Sequence, residues 1–276
     1  MTHVTLEWTA ASETGRQQQW NEDAYAVIPE ARLFVLADGM SKQPAGHLAS
    51  RMAVETVRAY YSYQQEVLFG EALRRLSLPR AATQLYTAYC LANKLVHERN
   101  VRVNPLRPMG TTLLGVQFLH RHVVIAHVGD SRCYRVCYGE LTQLTRDHIL
   151  LEENRRYLTA REIDDLRPLQ QVLSRAVGRD RDIEVGICAA VVRPNDLYLL
   201  CSNGLFETLP PEAIVEILAA TDSLDDACRS LVATAHAIDG RDDITAILAR
   251  LQPAPKHLRW TASSQDETSE KSQSKE

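Results

Sequence analysis

VVIAHVGDSRCYRVCY, residues 123–138, sets two short apolar runs, 123–128 and 133–138, on either side of a Gly-Asp-Ser-Arg break. Runs of this length, rich in Val, Ile and Tyr and bounded by Gly and Asp, read as strands rather than helices. The pattern recurs at 24–28, 32–37, 111–118, 184–191, 196–201 and 244–248, so the chain is expected to build a β-rich core. Helical periodicity occupies 46–61, 211–219, 224–237 and 81–98, where Leu85, Tyr89 and Leu95 share a face. Helix pairs alternating with blocks of strands predict two packed sheets covered by helices.

Composition bounds the class. The 276 residues are 45% hydrophobic and 24% charged, which is ordinary for a globular chain of one large or two small domains. A net charge of −4 with interspersed Lys and Arg leaves no basic stripe of the kind that nucleic acid selects. The N-terminus lacks a basic segment followed by an apolar one, and no apolar run approaches the ~18 residues of a membrane span, so a cytoplasmic protein is expected. Six cysteines, Cys90, Cys133, Cys137, Cys188, Cys201 and Cys228, have no zinc-site spacing and read as reduced thiols. Residues 146–176 are charged and helix-forming with few apolar residues, as expected of a flap over one end. From residue 252 the chain is too polar to bury a face and reads as a disordered tail.

Four acidic positions lie at strand ends: Asn21-Glu22-Asp23, Asp38-Gly39, Gly129-Asp130 and Asp242-Asp243. Two readings stay open. Each acid beside a Gly or a second acid is compatible with turn chemistry. If the strand ends converge, their oxygens form a cluster that only a hard divalent cation, Mg²⁺ or Mn²⁺, would stabilise.

The order of motifs resembles the metal-dependent (PPM, type 2C) serine/threonine protein phosphatases in their compact bacterial form. The resembling segments are TG followed by NEDAY (14–25), VLADGM (35–40), GHLAS (46–50), MGTTLLGV (109–116), HVGDSRCYRV (127–136), LTRDH (144–148), LSRAVG (173–178), LLCSNGLFE (199–207) and GRDDITAIL (240–248). The resemblance implies an α+β, four-layer αββα sandwich of two antiparallel sheets flanked by helix pairs. It implies a phosphatase domain over residues 1–251 and hydrolysis of phosphoserine and phosphothreonine in proteins by a metal-activated water. Two Mn²⁺ or Mg²⁺ ions are implied: Asp38 bridges them, Glu22 and the Gly39 carbonyl serve one, and Asp242 with the residue at Asn203 serves the other. Asp130 is implied as a ligand of a third. Asp38 and Asp242 are thus the expected catalytic residues, a phosphorylated protein the expected substrate, and a Ser/Thr kinase an expected signalling partner. No GxSxG elbow or HExxH motif offers a competing chemistry.

Three departures stand out. Gln18 occupies the place of the family's phosphate-gripping Arg, leaving Arg16, on the same face if the segment is extended, and Lys42 as candidate phosphate contacts. Ser41-Lys42 replaces a glycine pair. Asn203 stands where the family has Asp, and an amide offers oxygen to a cation but no charge. The alternative reading is therefore a catalytically impaired pseudophosphatase that binds phosphoproteins. His47, His127 and His148 are expected to have structural or surface roles.

Overall fold

A computed structural model describes residues 4–40, 45–68, 78–103, 105–166, 169, 171–193 and 195–253. In chain order the elements are β1 (Val4–Glu13), β2 (Asp23–Ile28), β3 (Leu33–Met40), α1 (Gly46–Leu68), α2 (Leu78–Val103), β4 (Gly110–Thr111), β5 (Leu113–Phe118), β6 (His122–Val128), β7 (Arg132–Cys137) and β8 (Glu140–Gln143). They continue with α3 (Leu150–Asn154), α4 (Ala160–Asp165), β9 (Gly186–Val191), β10 (Leu197–Cys201), α5 (Asn203–Phe206), α6 (Pro211–Ala219), α7 (Leu224–Ile238) and β11 (Ile244–Pro253).

The period-two alternation of strand side chains builds the layers. Along β3, Leu33, Val35 and Ala37 pack against α1 and α2, while Phe34 and Leu36 point into the space between the sheets. Along β10, Leu197, Leu199 and Cys201 face α6 and α7, while Tyr198 and Leu200 meet the opposite sheet. One sheet runs β1-β11-β10-β7-β8 and the other β2-β3-β5-β6-β9 with β4 on β3, every named pair antiparallel. The result is the expected αββα order, with one core between the sheets and one under each helix layer. Because β6 and β7 belong to different sheets, the Gly-Asp-Ser-Arg break is a crossover at the open end of the sandwich.

The long helices explain themselves by their faces. In α2 the buried stripe is Ala81, Leu85, Ala88, Tyr89, Ala92 and Val96, its three alanines letting the helix approach the sheet. Leu95, expected on that face, is exposed, because Ala92 and Val96 carry the stripe instead. Tyr89 donates its hydroxyl to the Ala126 carbonyl at 2.8 Å, so its buried polar tip is satisfied. α7 opens with Ser223 capping the Asp226 amide at 3.2 Å.

Two strands were not expected from the sequence. β1 pairs only with β11, over ten positions, and is too polar to show the apolar run that marked the others. β8 is four residues, ELTQ, held on β7 by ladder bonds. The charged stretch expected to be a flap carries the short helices α3 and α4. The polar tail from residue 254 lies outside the described residues.

Candidate active site

Seven strand ends meet at one end of the sandwich. Asp23 begins β2 directly opposite Asp38 on β3, Val128 ends β6, Arg132 begins β7, Cys201 ends β10, Ile244 begins β11 and Glu13 ends β1. Antiparallel register therefore helps bring the four acidic positions together, although the first and the last, Glu22 and Asp243, lie 221 residues apart.

Close backbone approach makes the gathering possible. A Cβ on Gly39 would lie 2.2 Å from the Gly46 carbonyl oxygen and 2.7 Å from that of Glu22, so only glycine lets β3 pass between β2 and the start of α1. The Gly39 amide donates to the Glu22 carbonyl at 3.0 Å, and Glu22 Oε1 accepts from the Gly46 amide at 3.0 Å. At Gly204 an added Cβ would meet the Asp243 carbonyl oxygen at 2.3 Å, which seats the start of α5 on β11.

Asp38 is braced by the Met-Gly-Thr-Thr motif. Its amide donates to Thr112 Oγ1 at 2.8 Å, and its carbonyl accepts from the Thr112 amide and from Thr111 Oγ1, each at 2.8 Å. Thr112 Oγ1 also bonds Ser131 Oγ at 2.7 Å, joining Asp38 to the turn that carries Asp130. The motif is held from behind by Asn100 on α2, which donates to the carbonyls of Met109 at 2.7 Å and Gly178 at 2.8 Å. Asn93 accepts the Gly178 amide at 2.7 Å, so the Leu-Ser-Arg-Ala-Val-Gly motif is part of the same scaffold.

Withdrawal from solvent pushes the Asp38 carboxyl well above the usual range, and the charges of Asp23, Asp130, Asp242 and Asp243 push it further. Asp130 is pushed up to about 6, by burial first and then by Asp147. Glu22 and Asp242 are raised for the same first reason. Four acids that each resist ionisation beside the others are a site that favours cations. Asn203 fits this set: its amide lies against Asp242 and lowers the pKa of that carboxyl, while its Oδ1 is buried with no hydrogen-bond partner among the described residues. Among the described residues no three acidic, His or Cys side chains close a metal cage by themselves. A hard cation held here would take backbone carbonyl and water oxygens as well, as Mg²⁺ does.

Three residues of the site were not assigned roles from the sequence. Asp243 is buried and accepts the Gly15 amide at 2.8 Å and the Glu22 amide at 2.6 Å, so it clasps the β1–β2 loop to β11. Asp23, pushed to about 7 by burial, takes the Ser202 hydroxyl at 2.8 Å and has its other oxygen buried without a hydrogen-bond partner among the described residues. Thr112 links two motifs, as above. The adjacent acids of NED and DD were the available signal, since alternation along a strand sends one of each pair inward.

Arg16 is placed differently from the sequence expectation. Residues 14–22 are not a strand, and Gln18 folds back to donate to the Gly15 carbonyl at 2.9 Å. The Arg16 guanidinium donates to the His236 carbonyl at 2.8 Å in the last turn of α7. Lys42 lies outside the described residues. His127 and His148 stack at 4.6 Å behind the site, and His47 stacks on Trp20 at 6.1 Å. The six cysteines are all free, with Cys133, Cys201 and Cys228 buried.

Comparison with known proteins agrees with this architecture. The family model for protein phosphatase 2C matches residues 12–249. A serine/threonine phosphatase stp of Listeria monocytogenes is 31% identical over 241 residues, covering 86% of this chain and 92% of its own. The serine/threonine protein phosphatase PstP of Mycobacterium tuberculosis is 32% identical over 252 residues, covering 89% of this chain and 45% of its own. The solved catalytic domain of PstP, in complex with two manganese ions, superposes with a TM-score of 0.73 at 27% identity, covering 91% of this chain and all of that one. With nine motifs in order, two antiparallel sheets between helix layers and the acids gathered at one end, the chain belongs to the protein phosphatase 2C family.

Proposed function

We infer that this chain hydrolyses phosphoserine and phosphothreonine in proteins, in a reaction that depends on divalent cations. The observation that carries this reading is the set of acids at the open end of the sandwich, with Asp38 raised by burial and by its acidic neighbours and the Asn203 oxygen buried without a hydrogen-bond partner among the described residues. Related phosphatases support the activity, and one of their structures holds manganese.

Asp38 would bridge two ions, Glu22 and the Gly39 carbonyl would serve one, and Asp242 and Asn203 the other. Mn²⁺ and Mg²⁺ both suit these hard oxygens, and Asp130 would hold a third ion. When bound, such ions lower the pKa of a water and offset the charge of the transferring phosphoryl group. The protein's part is positioning. Three hydrogen bonds shared with the Thr pair fix the Asp38 backbone, Asp243 fixes that of Glu22, and the Gly46 amide orients the Glu22 carboxylate. An Arg16 role in gripping phosphate requires it to leave His236.

A binding-only, pseudophosphatase reading is not favoured, since Glu22, Asp38 and Asp242 are all in place and Asn203 still presents an oxygen. Among the described residues no helix is long and apolar enough to cross a membrane. A cytoplasmic location opposite a Ser/Thr kinase completes the proposal. Hydrolysis of p-nitrophenyl phosphate and of a phosphothreonine peptide with added Mn²⁺, beside a chelated control, tests it. Turnover that appears only with the cation is expected, and its absence from demonstrably folded protein would falsify the enzyme reading.

A further inference from the structure

A cavity of about 410 Å³ opens where α3 and the residues after it face the Leu-Thr-Arg-Asp-His segment, lined by Arg146, Asp147, His148, Glu153, Asn154, Arg156, Tyr157 and Arg175. Its charges do not cancel. Asp147 is consumed by Arg132, whose Nη2 donates to it at 2.6 Å. Arg175 is consumed by Glu153 at 2.7 Å and Glu184 at 3.1 Å. Arg146 donates to the Glu152 backbone carbonyl at 3.2 Å, and Arg156 lies 4.6 Å over the Tyr157 ring. Among the described residues neither of these two guanidiniums has a carboxylate partner. His148, in the same wall, is held neutral, first by burial and then by His127, Arg175 and Arg146.

An apolar groove of about 280 Å³ adjoins this cavity and shares Asn154 and Tyr157 with it. Leu150, Leu151, Leu158, Leu166 and Leu169 line it, and Leu150 and Leu169 are about 40% exposed. The pair of pockets is tied to the proposed catalytic centre through one turn. The Gly129 amide donates to His148 Nδ1 at 3.2 Å and the His148 amide to the Gly129 carbonyl at 3.0 Å, one residue from Asp130.

We propose that the two pockets dock the protein substrate, Arg146 and Arg156 taking a second phosphorylated residue and the leucine groove an apolar side chain beside it. Two guanidiniums in a concave wall with no carboxylate partner among the described residues match the oxygens of a phosphate, and arginine is the side chain that binds phosphate in bidentate fashion. The neighbouring leucines favour a peptide over a free anion. The proposal rests on the phosphatase reading, and the experiment separates the two.

Steady-state kinetics of the full chain with Mn²⁺ would compare phosphothreonine peptides that carry, at several spacings and next to Leu, a second phosphoserine, a Ser or a Glu. The second phosphate is expected to lower KM by about tenfold at the productive spacing, with kcat unchanged, the factor of one charge-assisted pair. In an Arg146→Gln/Arg156→Gln variant that advantage disappears while kcat/KM for p-nitrophenyl phosphate stays the same. Equal KM values across the wild-type panel would overturn the proposal, and a Glu peptide that gains as much as the phosphorylated one would overturn the choice of phosphate. Fluorescence anisotropy of the doubly phosphorylated peptide in chelator reads docking without turnover. Tenfold tighter binding to the wild type than to the variant is expected even if no substrate is hydrolysed, and equal binding sinks the docking site.

Discussion

Arg132→Ala removes the strongest polar clamp near the site. The guanidinium donates Nε and Nη2 to Asp147 at 3.0 and 2.6 Å, Nη1 to the Tyr134 hydroxyl at 2.9 Å, and lies 3.7 Å over the Phe206 ring. It thereby joins β7, the segment that leads into α3, and α5, beside Asp130. Truncation strands Asp147, whose side chain is only 9% exposed. Breaking a buried pair from one side costs about 3–5 kcal/mol, because the remaining charge is left uncompensated. The lower end, about 3 kcal/mol, applies: Arg132 is itself 25% exposed, and Gln143 still donates to Asp147 at 2.8 Å. For a domain of this size that loss lowers the melting midpoint by roughly 6–12 °C. Urea unfolding followed by circular dichroism gives the free energy directly. The partner variant Asp147→Asn completes a double-mutant cycle, with a coupling of about 2 kcal/mol expected because the double variant leaves no buried charge. A loss below about 1 kcal/mol, the worth of an exposed pair, or strictly additive single effects, would refute the clamp.

Asn203→Asp adds a carboxylate against Asp242, so metal-free protein should melt lower while the Mn²⁺ concentration for half-maximal activity falls about tenfold, one added charge in a half-solvated site. An unchanged metal titration would count against Asn203 as a ligand position. His148 is pushed down to about 3, so the unfolded chain binds a proton that the folded one refuses, and stability due to this group is present above the unfolded pKa of about 6.5 and lost as pH falls toward 3. His148→Asn keeps an acceptor for the Gly129 amide and removes that titration. The variant should therefore lose less stability than the wild type between pH 6.5 and 4 in paired urea titrations, and parallel curves would show the reasoning wrong.

Much of the fold was legible because its central strands are buried on both faces and so read as unbroken apolar runs. β3, β5, β6, β10 and β11 announce themselves in this way. β1 does not, since an edge strand with one neighbour needs few apolar residues. Leu95 misled because the α2 face is set by alanines at the helix–sheet contact, a choice that follows from interlayer distance and not from hydrophobicity.

Local sequence determined which residues are chemically able to act: the acids at strand ends, the glycines that admit close backbone approach, and the amide at position 203. It also fixed their order, which is enough to place the chain in its family. Only the tertiary structure decided which of the adjacent acids is spent on backbone amides, because that depends on partners far away in the chain. Asp243 is spent on the amides of Gly15 and Glu22, and Arg16 on the end of α7. Arg146 and Arg156 look like ordinary flap residues until folding brings Arg132 to Asp147 and Arg175 to Glu153, leaving those two without a carboxylate partner among the described residues. Charge balance in a cleft is a property of three-dimensional pairing, and no one-dimensional pattern encodes which charge is left over.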